Sequence, residues 1–295
     1  MDPEAPFPKL RLVDRESTEE LERRYLKERQ VAISEREQLL GEPLAPFKVG
    51  SVPYLNAVPL TRGIEDEIAL VPPSQLAVQL RNGELDAALL SVTEVLFHDL
   101  YDILDGIAVA SLGEVKSVFL AHQCPLEKVR TISADTASLT SVNLLKVLMA
   151  QRGQAIELVP LKSYAEAREC EAVMLIGDQA LDFIRSEPPH AIWDLGAAWF
   201  ELTGLPFVYA VWALRRGVEN DRLKARLREA RDFGLDTLDH IIRSRTEYDL
   251  QFRQDYLGWH IHYHLGADEK RGLAKFVELL RKYGFGPVYD PKFVS

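Results

Sequence analysis

The chain contains 295 residues, of which 47% are hydrophobic and 27% are charged, and it carries a formal net charge of −10. These values are ordinary for a globular protein and exclude the collagen-like, disordered and disulfide-framework classes. The acidic balance argues against a general binder of nucleic acids or of anionic membranes. The charge is uneven, because residues 47–216 carry a net charge of −8 whereas residues 217–295 carry +1.

Cysteine usage and hydropathy indicate the compartment. Cys124 and Cys170 show neither the spacing of a metal site nor that of a redox motif, and unpaired thiols suit a reducing environment. No apolar run approaches the ~18 residues needed to cross a bilayer. The first 40 residues also lack the apolar core of a signal peptide. The sequence therefore predicts a cytoplasmic protein without membrane contact.

Residues 1–46 are predicted to form an appended, charged arm that is partly helical and packs on the main body or on a partner. Three prolines make its start irregular. A charged helical stretch then runs from Leu21 to Leu40, and Gly41 and Pro43 end it. No function is assigned to this arm.

From residue 47 onward, apolar runs of strand length alternate with helices of about ten residues. The strands are predicted at 48–52, 85–90, 115–121, 129–133, 156–160, 172–176 and 207–214. The helices between them are predicted at 74–82, 140–152 and 164–170. This alternation is typical of βαβ units and a mostly parallel sheet. Three helices are predicted after Arg216, at Asp221–Arg243, Glu247–Leu257 and Asp268–Tyr283.

Two strand–helix blocks followed by a helical tail indicate a two-lobed α/β protein with a cleft between the lobes. Ligands in such sheets bind at the carboxyl ends of strands. Asn56 is predicted in the turn after the first strand, and Ser117 at the start of an otherwise apolar strand. Ser138, Thr140 and Ser141 open the next predicted helix.

Each of these three segments also has a purely structural interpretation. Asn56 suits a turn, and a half-buried serine such as Ser117 commonly bonds to the backbone. Lys116 alternates to the opposite face and is predicted to be solvated. Hydroxyls at a helix start cap its free N–H groups. The same start suits a bound carboxylate, because those N–H groups and the helix dipole face it, so this segment is the strongest physical indication of a ligand.

The segment WHIHYH raises the question of a metal site. On a helix, His260 and His264 would share a face, whereas His262 would not, and no Cys or Glu motif supports them. Neither a metal site nor a cofactor is therefore predicted. The glycine-rich nucleotide loops and the hydrolase and zinc-peptidase motifs are absent from the sequence.

Several motifs resemble one enzyme family closely. The segments GSVPYLNAVPL, NGELDAALLSVTE, GEVKSVFL, TASLTSVNLLK, AVMLIGDQAL and WDLGAAWFELTGLPFVYAVWALRR are similar, in this order, to chorismate dehydratases of the futalosine route to menaquinone. The resemblance spans residues 47–285. It implies a fold like a type II periplasmic binding protein, with residues 47–121 and 207–295 in lobe one and residues 122–206 in lobe two.

The resemblance also implies an activity, the loss of water from chorismate to give 3-[(1-carboxyvinyl)oxy]benzoate. On this basis Asn56 and Ser117 match positions at the reacting centre. The substrate-binding residues implied by the same motifs are Tyr54, Leu55, Ser138, Thr140 and Ser141. Asp178, in LIGDQAL, is expected to serve in capping or hinge bonding rather than as an acid.

The matching motifs offer Asn, Ser and Thr, which are poor general bases. The elimination is therefore expected to be substrate-assisted, with the enolpyruvyl carboxylate taking the ring proton. Chorismate is a dianion, and the cleft-forming residues 47–216 are acidic. Recognition is accordingly expected to use neutral, short-range hydrogen-bond donors, and a cleft lined by two or more arginines would contradict this expectation.

Other functions remain open at this point. A solute-binding protein would share the fold, but such proteins are normally exported. The sibling enzyme that forms 1,4-dihydroxy-6-naphthoate typically employs a histidine, and here the histidine nearest to a cleft motif is His122. A noncatalytic binder of aromatic acids is the third alternative. The partner predicted from the sequence is the small-molecule substrate, with no nucleic acid or membrane, and no oligomeric state is indicated.

Overall fold

The structure, a computed structural model, describes residues 18–38, 40, 41, 43–218 and 220–295. The chain divides into two compact units, residues 1–40 and residues 41–295. The described part of the first unit is helix α1, Thr18–Gln38, which agrees with the helical stretch predicted for the arm. The irregular start predicted before it lies outside the described residues. Residues 43–46, assigned to the arm from the sequence, belong to the second unit, where Leu44 is buried in the hydrophobic core.

The second unit contains strands and helices in alternation over most of its length. Its strands are β1 Val49–Ser51, β2 Ile68–Leu70, β3 Ala87–Ser91, β4 Tyr101–Ser111, β5 Val118–His122, β6 Thr131–Ala134, β7 Glu157–Pro160, β8 Ala172–Ile176, β9 Ala191–Asp194, β10 Phe207–Arg215 and β11 Phe293–Val294. Its α-helices are α2 Pro73–Arg81, α3 Val92–Phe97, α4 Leu139–Gln151, α5 Gly177–Arg185, α6 Leu195–Thr203, α7 Asp221–Asp236, α8 Leu238–Ser244, α9 Leu250–Asp255 and α10 Ala267–Tyr283. Short 3₁₀ helices occur at Leu55–Leu60, Glu65–Glu67, Leu126–Lys128 and Tyr164–Glu169, and a π-helical turn at Tyr256–His260.

These strands form two sheets in the described part of the chain. The first has the order β11-β4-β10-β3-β1-β2 and the second the order β7-β6-β8-β5-β9. The chain leaves the first sheet after β4, builds the second with β5 to β9, and returns to the first with β10. This double crossover produces the two lobes.

Both sheets are mixed, whereas the sequence predicted a mostly parallel sheet. Strand β10 runs antiparallel to β3 and β4, and β5 runs antiparallel to β8 and β9. Each of these strands follows a crossover and enters the middle of its sheet. A strand covered on both faces is apolar throughout in either orientation, so its sequence does not reveal its direction.

The lobe boundary inferred from the resemblance falls at residue 121, inside β5. All five residues of β5 pair with β8 in the second sheet. Strand pairing therefore places the first crossover at residues 112–117, immediately before β5. The second predicted boundary, at residue 207, coincides with the first residue of β10.

Strand β4 is absent from the predicted elements, although it is the longest strand. Two aspartates interrupt its apolar pattern, and Gly106, with φ +85°, accompanies an irregular register against β10. Asp102 accepts a hydrogen bond from Arg216 Nε at 2.7 Å, and Asp105 pairs with Lys270 Nζ at 2.7 Å. These tertiary ion pairs allow acidic residues within a strand.

The helical tail also differs from its prediction. The helix predicted at Asp221–Arg243 is broken at Thr237, whose Oγ1 donates to the Phe233 carbonyl at 2.7 Å and so competes with the helical hydrogen bonds. The helix predicted at Asp268–Tyr283 is confirmed as α10.

The segment WHIHYH is not one helix. The π-helical turn ends at His260, and the following residues are extended, with His262 in an isolated β-bridge to Ala110 of β4. The helical spacing assumed for the three histidines was therefore wrong from His262 onward.

Candidate active site

A cavity lies between the two sheets, where strand ends of the first lobe meet strand and helix starts of the second. It is lined by Val52, Tyr54, Asn56, Pro73, Leu89, Ser91, Val109, Val115, Ser117, Val118, Ser138, Ser141, Ile176, Gly177, Tyr209 and Ala210. Hydrophobic side chains thus enclose a small number of hydroxyl and amide groups.

The structure brings five of the seven site residues predicted from the sequence into this cavity. They are Tyr54, Asn56, Ser117, Ser138 and Ser141. Leu55 lies in the hydrophobic core, 3% exposed, and contributes its backbone N–H to Asp178 Oδ1 at 3.4 Å. Thr140 is fully buried beside the cavity and is bonded to the first lobe.

One buried tyrosine joins the two residues predicted at the reacting centre. The Tyr256 hydroxyl donates to Ser117 Oγ at 2.8 Å and accepts from Asn56 Nδ2 at 3.2 Å. Tyr256 is 1% exposed, and burial raises the pKa of its phenol well above the usual value. The phenol therefore stays protonated and acts as a hydrogen-bond donor, which fixes the positions of both neighbours.

The crossover segment before β5 is held by a buried carboxylate. Asp194, at the end of β9, accepts the backbone N–H groups of Val115 at 3.1 Å, Lys116 at 2.8 Å and Ala197 at 2.9 Å. Burial raises the pKa of Asp194, and the three N–H bonds oppose that shift. Lys116 takes the left-handed conformation with φ +65° and pairs with Glu114 at 2.7 Å. These contacts determine where Ser117 lies, immediately before β5.

The start of α4 is capped by side chains from both lobes. Ser138 Oγ accepts the Ser141 N–H at 3.3 Å and the Ser141 hydroxyl at 3.1 Å. The Thr140 N–H donates to Ser91 Oγ at 2.9 Å, and the two hydroxyls of this pair are 2.5 Å apart. The backbone N–H groups of Thr140 and Ser141 are therefore capped by serine side chains, as the structural interpretation expected. The residues Ser91, Ser138 and Ser141 also line the cavity.

Tyr54 closes another side of the cavity, against the start of α5. Its ring lies 3.5 Å from the position that a Cβ would take on Gly177, where φ is +58°. Burial and the carboxylates of Asp135 and Asp178 raise the pKa of Tyr54 to about 12. Tyr54 is therefore a neutral phenol at ordinary pH.

None of the sixteen described residues that line the cavity carries a formal charge. In particular, no arginine is among them, which agrees with the expectation of neutral donors. Asp178 bridges the lobes by accepting the Leu55 N–H, and its own carbonyl accepts the Tyr248 hydroxyl at 3.4 Å. This bonding corresponds to the hinge role expected for Asp178.

Comparison with known proteins assigns the chain to a family. The family model for menaquinone biosynthesis matches residues 47–282, which is most of the chain and includes every residue of the cavity lining. The chain belongs to this menaquinone biosynthesis family. The family resemblance inferred from the motifs is thereby confirmed.

Two curated relatives of this family carry the same name. Chorismate dehydratase of Thermus thermophilus is 34% identical over 275 residues, which cover 84% of this chain and 100% of that protein. Chorismate dehydratase of Campylobacter jejuni is 28% identical, over 76% of this chain and 89% of that protein. The similarity therefore extends over nearly the full length of both relatives.

Solved structures of low identity share the fold. A protein of Archaeoglobus fulgidus has a TM-score of 0.65 at 17% identity, covering 81% of this chain and 97% of its own. The periplasmic aliphatic sulphonate binding protein of Escherichia coli has a TM-score of 0.55 at 15% identity, covering 84% and 93%. These likenesses confirm the two-lobed, periplasmic-binding-protein-like fold. No helix in the described residues is long and apolar enough to span a membrane.

Sequence reasoning missed three polar residues of the cavity and its surroundings, Ser91, Tyr209 and Tyr256. Ser91 ends β3 inside the motif NGELDAALLSVTE, so its position at a strand end was an available signal. Tyr256 lies in the helical tail, 139 residues after Ser117, and its surroundings show no motif. His122, the histidine weighed for the sibling reaction, donates from Nδ1 to the Cys124 carbonyl at 2.7 Å and does not line the cavity.

Proposed function

We propose that this protein is a chorismate dehydratase whose active site is the cavity between the lobes. The named relatives and the family support the reaction class, a hydro-lyase that converts chorismate to 3-[(1-carboxyvinyl)oxy]benzoate. The observation that carries the site assignment is the hydrogen-bonded group of Asn56, Tyr256 and Ser117, in which Asn56 and Ser117 line a cavity between the lobes whose described lining residues carry no charged side chain.

The chemistry needs a proton acceptor and a way to release the hydroxyl group. The ring carbon that bears the enolpyruvyl ether loses its hydrogen, the neighbouring carbon loses its hydroxyl, and the ring becomes aromatic as one water is released. Among the described lining residues there is no carboxylate, histidine or lysine. The two lining phenols, Tyr54 and Tyr209, have pKa values raised by burial, so they are unsuitable bases near neutral pH.

The enolpyruvyl carboxylate of the substrate is therefore the proton acceptor in this proposal. The protein contributes orientation and preorganised hydrogen bonds, which are more effective in an enclosed cavity than in water. Asn56 and Ser117, held by Tyr256, bond to a carboxylate or to the departing hydroxyl. Both side chains are already fixed before substrate binds, so little reorganisation is required.

The second carboxylate is bound at the start of α4. Ser91, Ser138 and Ser141 present hydroxyls there, and the positive end of the helix dipole favours an anion. The net charge of residues 47–216 is strongly negative, and the proposed substrate is a dianion. Neutral hydrogen-bond donors can still bind it, because a hydrogen bond acts at contact distance and does not depend on long-range attraction. A cytoplasmic location is part of the proposal and is supported by the free thiols of Cys124 and Cys170.

The test is to incubate the purified protein with chorismate and to follow the aromatic product by absorbance and mass. We expect Asn56→Ala and Ser117→Ala to lower turnover at least about tenfold, because each variant loses a preorganised hydrogen bond to the substrate. Asn82→Ala and Ser244→Ala, at exposed positions, are the matched controls and should keep the wild-type rate. Circular dichroism and thermal melting establish that each variant is folded.

The outcomes separate this proposal from its alternatives. Wild-type rates in both active-site variants would contradict the assigned roles. Binding of chorismate without any product would support a noncatalytic binder instead. Turnover of a cyclic futalosine derivative, but not of chorismate, would support the sibling reaction.

A further inference from the structure

Two histidines and a glutamate converge outside the cavity. The extended residues 261–265 alternate, with Ile261, Tyr263 and Leu265 buried at 3%, 5% and 2% exposure. His262 and His264 therefore project to the other side of the segment. Their rings stack with centroids 5.4 Å apart and planes inclined by 19°.

The backbone of this segment is held in place by β4. The Ala110 N–H donates to the His262 carbonyl at 2.9 Å, and the His262 N–H donates to the Ala110 carbonyl at 2.8 Å. The position of His262 is thus set by a strand of the first sheet rather than by a free loop. A ligand on a supported element is positioned more accurately than one on a loop.

The third group comes from the beginning of α10. Glu269 is buried, with its side chain 4% exposed, and its Oε1 lies 3.1 Å from His264 Nε2. Its other oxygen, Oε2, accepts the Gly266 N–H at 2.9 Å. That backbone bond orients the carboxylate in the way that supporting groups orient metal ligands.

Together the three residues offer ligand atoms that all lie within 4.8 Å of one another. A tetrahedral zinc ion bonded at about 2.0–2.1 Å places its ligand atoms about 3.3 Å apart, close to the separation of His264 Nε2 and Glu269 Oε1. His262 Nδ1 is also buried without a hydrogen-bond partner among the described residues, which leaves an unsatisfied polar atom in the cluster.

We infer that His262, His264 and Glu269 bind one divalent transition-metal ion of the zinc class. Two imidazoles and one carboxylate suit Zn²⁺ or Co²⁺ rather than Mg²⁺ or Ca²⁺, which prefer oxygen ligands. His264 is 58% exposed on its side chain, so the ion reaches the site from solvent and keeps water as its fourth ligand.

The site has a structural consequence because of what precedes it in the chain. Tyr256 lies six residues before His262, in the π-helical turn that leads into the extended segment. A metal ion bound here would join this segment to α10 and restrain the turn that carries Tyr256. None of the three ligands lines the cavity, so the ion is assigned no step in the reaction.

The test is a titration of the tag-free, chelator-treated protein with ZnCl₂ in a calorimeter. We expect one Zn²⁺ per chain, and a Kd that is weaker by roughly tenfold or more in His262→Ala and in His264→Ala. His260→Ala removes a histidine of the same segment whose ring bonds to the Glu114 carbonyl. It is the matched control and should stay within about twofold of the wild-type Kd.

Two further measurements guard against trivial results. Glu269→Gln keeps an acceptor for the Gly266 N–H and should also weaken zinc binding. If this variant fails to fold, the zinc affinities of the two histidine variants test the inference. Co²⁺ should give the visible absorption of a four-coordinate site in the wild type, and His264→Ala should lose it. Zinc binding that is absent, that exceeds one ion per chain, or that is equal in all three histidine variants would overturn the inference.

Discussion

Tyr256 shows how much of the site depends on one hydroxyl group. It satisfies Asn56 and Ser117 at the same time, and all three lie in an environment where an unpaired polar group is costly. Ser117 has a further weak partner in the Val115 carbonyl at 3.4 Å. The direction of both Asn56 and Ser117 is therefore controlled from the helical tail.

Tyr256→Phe should lower kcat about tenfold and leave KM little changed, because the catalytic groups remain but lose their common partner. The free energy of unfolding should fall by about 1 kcal/mol, the usual net value of one buried hydrogen bond. Steady-state kinetics with chorismate and urea unfolding measure the two effects.

Tyr263→Phe is the matched control for this prediction. Tyr263 is also buried, but its hydroxyl has no hydrogen-bond partner among the described residues. Its removal should leave kcat unchanged and should not lower stability. Equal losses in both variants would show that the ring environment, rather than the bridging hydroxyl, is responsible.

At the scale of elements, the 3₁₀ helix Leu55–Leu60 carries Asn56 and packs directly on α7. A Cβ at Gly234 would lie 1.8 Å from the Pro59 carbonyl oxygen, so the two backbones are in contact. Only glycine permits this approach. Helix α7 contains no residue of the cavity lining. Its backbone nevertheless fixes the position of the 3₁₀ helix that carries Asn56.

Gly234→Ala should reduce both stability and activity. Overpacking of this kind costs about 1–3 kcal/mol, and relief of the clash requires the segment carrying Asn56 to move. The urea midpoint and kcat are the measurements. Gly258→Ala provides the control, since a Cβ there meets no atom within 4 Å. An unchanged kcat in Gly234→Ala would show that α7 does not control the position of Asn56.

At the scale of the whole molecule, several tyrosines share a raised phenol pKa. Burial raises the pKa of Tyr54 to about 12 and raises the pKa values of Tyr101, Tyr164, Tyr248 and Tyr256 further. The folded protein therefore favours the neutral phenols more strongly than the unfolded chain does. This stabilisation is fully present below pH ~10, the unfolded value, and is lost as the pH rises toward and beyond 12.

We accordingly expect the urea midpoint to decrease between about pH 10 and about pH 12. Tyr101→Phe should make that decrease smaller, because one raised phenol pKa is removed while Glu94 keeps its ion pair with Arg81 at 3.1 Å. Urea unfolding of both proteins across this interval is the measurement. Identical slopes would assign the alkaline instability to other groups.

The sequence by itself determined the fold class and most of the polar cavity lining. Asn56 and Ser138 follow apolar runs of strand length, Ser117 precedes one, and such folds collect ligands near strand ends. The family motifs then singled these positions out. Leu55 and Thr140 have the same local pattern but point into the core or into the other lobe, which spacing does not reveal.

Only the tertiary structure decided the remaining features. Tyr256 meets Asn56 across 200 residues of chain. A bridge to β4 makes the segment of His262 extended rather than helical, and the ligand atoms of His262 and Glu269 lie within 4.8 Å of each other. The directions of β5 and β10 likewise depend on the crossovers. Contacts between distant segments are set by how the two lobes pack, and packing is a property of surfaces that no short stretch of sequence contains.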